Sequence, residues 1–105
     1  MTIMDVVNSI IRLITHGAPM SAAEVNTALR KRAKEKGQAL NWDVSIVDLL
    51  KLLDLDSSLA ARRDLAIELG YDGHAADGSA EKNIWLHKRV LEEVAKHGIN
   101  IPRND

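Results

Sequence analysis

Apolar residues return along this chain at helical intervals, and the breaks between them carry helix punctuation. Ile3, Val6, Val7, Ile10, Leu13 and Ile14 fall on one arc at about 100° per residue. Thr2 with Asp5 three residues later makes a capping box before them, so a first helix is predicted to end near Gly17. After Ala18, Pro19 and Met20, Ser21 and Glu24 form an SxxE box, and Val25, Leu29 and Ala33 carry the stripe of helix two to a stop at Gly37. Gln38 to Val44 is a connection containing Trp42, read as exposed. Ser45 with Asp48 then caps helix three, whose run Ile46, Val47, Leu49, Leu50, Leu52 and Leu53 is apolar nearly all round and belongs at the centre of the core.

Asp54 to Ser58 reads as a polar hinge, with Asp56, Ser57 or Ser58 capping a fourth helix from about Leu59 to Leu69 and Gly70 as its stop. Tyr71 to Gly78 has turn chemistry. Ser79 opens helix five, expected to end near His97 before Gly98 with Ile84, Leu91, Val94 and Ala95 buried, and Pro102 marks a frayed tail. No run alternates apolar and polar long enough for a strand. The fold class is therefore all-α, a compact bundle of about five short helices. Residues 1–17 form an N-terminal amphipathic helix, a possible association element, and 21–105 form the helical domain.

Composition sharpens this picture. Hydrophobic residues make up 46% of the 105, but aromatics only 3% with no Phe, so the core must be aliphatic. Cysteine is absent, which removes disulfides and thiolate chemistry. Arg12 and Lys51 interrupt the longest apolar stretches, so no membrane span is expected, and without a signal peptide a cytoplasmic location follows by default. Net charge is -1, divided as +3 over residues 1–40 and -4 over 41–105, which makes nucleic acid an improbable partner on charge alone.

From Leu40 onward the wording is distinctive: LNW at 40–42, SIVDLLKLLDLDSSLAARRDLAIELGYDG at 45–73 and NIWLHKRV at 83–90. These segments resemble a bacterial and phage family catalogued as a domain of unknown function, with the signature SIVDLxKxLxLDSSLAARxxLAxELGY followed by MNIWLHK. The resemblance covers about the last two-thirds of the chain. It implies a helical domain preceded by a short hydrophobic segment and an Ala/Pro-rich linker, and it brings no activity with it. Here that linker shrinks to Gly17-Ala18-Pro19-Met20, and Lys82 stands where the family often has Met.

Few residues suggest chemistry. Arg62 falls among Leu59, Leu65, Ala66 and Leu69, so a structural ion pair or carbonyl cap involving Asp48, Asp56 or Asp72 is expected, since an unpaired buried charge is costly. His87 lies in the helix-five stripe and reads as a hydrogen-bonded core histidine, because no Ser, Cys or carboxylate at helical spacing would organise it as a base. Asp72, His74, Asp77 and Glu81 lack the ligand order of a calcium loop and read as a solvated turn. Arg30, Lys31, Arg32, Lys34 and Lys36 read as a solvated face of helix two.

No catalytic residue, metal ligand or cofactor is assigned, and the chain is not expected to be an enzyme. The candidate partner-binding residues are Trp85, Lys88 and Arg89 on helix five, with Ile3, Val7, Ile10 and Ile14 on helix one. Trp85 is expected either to anchor a partner or to pack under residues 38–44 or helix one. Helix one is assigned to a protein partner or to self-association, in preference to docking on helices three and five. A non-enzymatic interaction or assembly module is the leading function, and a nucleic-acid-binding helical domain the alternative. One direct check is a melt in excess chelator: the midpoint is expected not to move, whereas a structural metal at Asp72, His74 and Asp77 would shift it by many degrees.

Overall fold

A core without Phe has to be filled by short aliphatic side chains, and they fill it only where helices approach closely. The computed structural model describes residues 1–12 and 22–100. They fold as an all-helical bundle: α1 (Ile3–Ile11), α2 (Ala22–Lys36), α3 (Ile46–Leu52), α4 (Leu59–Glu68) and α5 (Ala80–Asn100), with no strand among the described residues. The longest helix, α5, packs against each of the other four, and α2 also meets α1 and α3. No described helix is long and apolar enough to cross a membrane.

The seam of α5 consists of Leu86, Val90 and Val94 at four-residue spacing, with His87 beside them. This corrects the predicted stripe, because Ile84 is 65% exposed while Leu91 and Ala95 are only half-buried. Apolar residues cover more than half the circumference of α5, so periodicity alone leaves the rotation of its buried face open by roughly a quarter turn. α5 also continues through Gly98 to Asn100. On α4 the inward residues are Ala61, Leu65 and Ala66, whereas Leu59, predicted to be buried, is 49% exposed and lies over Gly78.

Caps define most of the corners. The Thr2 amide donates to the Asp5 carboxylate at 2.7 Å, and the first helical amide of α1, Ile3, donates to Glu68 Oε1 at 2.6 Å, which ties α1 to the end of α4. Ser45 caps α3 by accepting from the Asp48 amide at 3.2 Å, and Asp48 reaches back to accept from the Asn41 amide at 2.8 Å. Ser58 caps α4 and is itself held by its amide donating to Asp56 at 2.9 Å. The Ser79 hydroxyl accepts from the Lys82 amide at the start of α5. The Ser21 cap, Leu13, Ile14 and the 17–20 linker lie outside the described residues.

α3 and α4 end in the same motif. After α4, the amide of Tyr71 donates to the carbonyl of Ala66 and that of Gly70 to Ile67, with Gly70 at φ 83°. After α3, the amide of Leu55 donates to Leu50 and that of Asp54 to Lys51. Here the left-handed position is held by Asp54 at φ 58°, where glycine is usual. The hinge read from the sequence is thus a helix C-cap. The Asp54 carboxylate receives Arg32 Nη2 at 3.0 Å and Lys36 Nζ, which pins the last turn of α2 to this corner.

The Lys36 hydrogen bond, then its charge, lowers the Asp54 pKa below its usual 3.8, with Arg32 adding to the effect. A carboxyl with a depressed folded pKa binds fewer protons folded than unfolded. Its contribution is therefore present above about pH 4 and lost as pH falls through the folded value. Asp54→Asn keeps a residue that tolerates the left-handed region and removes only the charge. The variant is expected to be slightly less stable than the parent at pH 7 in low salt and to converge with it as pH falls below the lowered folded pKa. Because Asp54 is 64% exposed, added salt should shrink the gap. A gap unchanged by pH and salt in parallel denaturant titrations would show that the ion pairs contribute nothing.

Candidate functional site

The polar residues singled out in the sequence are occupied with one another. His87, 8% exposed, is a buried polar residue of the core. Its Nε2 lies 2.7 Å from the Trp42 carbonyl oxygen, and because a carbonyl only accepts, that nitrogen carries the proton. The bond fastens residues 38–45 to α5. Trp42 itself is buried in the core, which corrects its reading as an exposed connection residue.

Arg62 is half-buried and donates from Nε to the Ser57 carbonyl at 3.2 Å and from Nη1 to Asn83 Oδ1 at 2.9 Å. Among the described residues it forms no ion pair with Asp48, Asp56 or Asp72. Asp48 and Asp56 accept backbone amides at their own helix starts, and Asp72 is exposed. A carbonyl and a side-chain amide therefore replace the expected carboxylate. The guanidinium latches the first turn of α4 to the first turn of α5, and the notch around it, between Arg63, Asp77 and Lys82, has room for about one water.

Trp85 is half-buried and stands edge-on to Tyr71, with ring centroids 4.9 Å apart at 64°. It packs against the core cluster that includes Trp42 and the inward residues of α1, and the loop after α4 brings a further aromatic ring to it. The Tyr71 hydroxyl accepts the Ala75 amide at 3.2 Å, and its ring lies 4.9 Å from the Lys82 ammonium, which also pairs with Asp77. A Cβ on Gly73 would come 2.5 Å from that hydroxyl, so a larger residue there would push the Tyr71 ring aside. Lys88 is exposed, while Arg89 is bound to Glu93 at 2.7 Å. Among the described residues no three His, Asp or Glu side chains gather where they could hold a metal ion.

Of the helix-one candidates, Ile3, Val7 and Ile10 lie in the core with Val6, so the chain's own domain covers them. Ile14 lies outside the described residues. The four inward side chains sit at i, i+3, i+4 and i+7, a single face of one helix. That face rests on α5, as the docking alternative expected, but its second wall is α2 rather than α3, so it lies in the trough between α2 and α5. The opposite side of α2 is exposed at Arg30, Lys31 and Lys34, and an open hollow runs past them and Thr27. Arg32 and Lys36, read with them as one solvated face, turn instead to Asp54.

Two features escaped the sequence reading. The role of Asp54 was concealed because its signal, a non-glycine residue at a C-cap, appears only once the end of α3 is placed. The trough was concealed because its walls come from helices far apart in sequence.

Neither the curated proteins nor the solved structures compared with this chain give a match. A family model, described as Domain of unknown function (DUF3597), matches residues 12–102, beginning where α1 ends. The match spans most of the chain and includes the capped α3–α4 corner, the Tyr71 loop and α5, so this protein belongs to the DUF3597 family.

Proposed function

We propose that this chain is a non-enzymatic protein-interaction module that receives an amphipathic helix in the trough between α2 and α5. One observation carries the reading: α1, which precedes the family-matched residues, already lies in that trough by its Ile3, Val6, Val7 and Ile10 face. Recognition of a helix by apolar anchors at this spacing is a general mode of protein binding. The engagement of His87 by Trp42 and of Arg62 by Asn83 supports the non-enzymatic part, since both side chains have structural duties.

A second reading, polyanion binding, is favoured only by Arg30, Lys31 and Lys34, which are exposed and take part in no ion pair among the described residues. Three phosphate contacts would give a salt slope of only about -2.7, well short of the six to ten contacts common in specific DNA binding.

The test uses the full chain carrying Ile10→Ala, which weakens the resident helix at a cost of about 2–5 kcal/mol. A peptide of residues 1–12 is titrated into this variant and into the parent. It is expected to bind the variant at least tenfold more tightly than the parent and to raise its melting point, while a peptide with Val7→Glu does neither. A folded variant that binds no peptide overturns the reading. So does an unfolded variant whose helicity the peptide fails to restore.

A further inference from the structure

The contacts that seat α1 can be made by any copy of the same helix. They consist of four aliphatic side chains on one face and the bond from the Ile3 amide to Glu68, whose carboxylate is otherwise exposed. None of these requires that α1 and the trough belong to one molecule. Ten residues, 12–21, join α1 to α2, and a chain of that length reaches at most about 35 Å when extended, about three helix diameters. That distance suffices to enter an adjoining trough.

We infer that the trough is an exchange site, and that its partner in trans is α1 of a second copy of this chain, giving a reciprocally swapped dimer. The inference rests on the helix-receiving reading above and adds the identity of the occupant. Exchange preserves every contact, so the closed monomer and the swapped dimer differ mainly in chain entropy. The resident helix competes at an effective concentration of about 1 mM, the range for a short tether. The closed form therefore predominates in dilute solution, and the swapped form accumulates as the protein approaches that concentration.

The experiment measures the mass of the intact chain by light scattering from about 10 μM to about 1 mM, before and after a cycle of mild unfolding and refolding that releases α1. A rise from monomer toward dimer is expected. Excess peptide 1–12 should return the mass to that of one chain plus peptide. Ile67→Lys and Ile84→Lys, placed on exposed aliphatic residues outside the core, should leave the rise unchanged. A chain that stays monomeric throughout, even after the unfolding cycle, overturns the exchange while leaving peptide capture by Ile10→Ala intact. A dimer that ignores the peptide but disappears with Ile67→Lys or Ile84→Lys also overturns it, since association then runs through another surface.

Discussion

The geometry of this fold depends on the seam of α5, and the seam depends on what the chain lacks. With two Trp, one Tyr and no Phe, almost no side chain can bridge a wide gap between helices. Leu, Ile and Val must interdigitate over short distances, where even one missing methylene is felt. Four helices find that close approach on the same long partner, along Leu86, Val90 and Val94. The rotation of α5 about its axis therefore sets the position of everything else. Two polar bonds fix that rotation from different sides: the imidazole of His87 on the Trp42 carbonyl, and Asn83 accepting from Arg62. Polar groups here align an apolar packing that is not itself directional.

The corners follow a similar economy. At the end of α3 an aspartate accepts an unfavourable backbone region so that its carboxylate can meet Arg32 and Lys36, and one residue both stops a helix and positions another. In the loop after α4, Tyr71 accepts a backbone amide on its hydroxyl, meets the Trp85 ring and lies beneath the Lys82 ammonium. Each of these groups would be a plausible functional residue if it were free. Among the described residues no buried side-chain nitrogen or oxygen lacks a partner. The polar inventory is largely spent on holding the fold.

Helix number, order and most starts were legible because caps are local. A serine three residues before an acceptor-poor amide announces itself without reference to the rest of the chain, as Ser45 and Ser58 do. The facing of helices was less legible. Ile84 and Leu59 fit an apolar arc as well as Leu86 and Leu65 do, and only the neighbours decide which side becomes inner. Arg62 was rightly suspected of an internal partner, but charge complementarity suggested carboxylates that are engaged at their own helix starts. Trp42 was misplaced because a connection was assumed to lie outside, whereas its carbonyl and indole both turn inward. Long-range pairing, unlike capping, leaves no trace at a fixed offset in the sequence.

The same distinction bears on α1. It is seated by four aliphatic side chains on one face and by the bond from the Ile3 amide to Glu68. α3 is shorter but is enclosed by α2 and α5 and tied at both ends by the Ser45 and Asp54 caps, so it cannot leave without dismantling its neighbours. α1, by contrast, lies outside the family-matched residues and covers the apolar wall shared by α2 and α5. The proposed helix-receiving role rests on that placement of α1 rather than on any cluster of polar side chains.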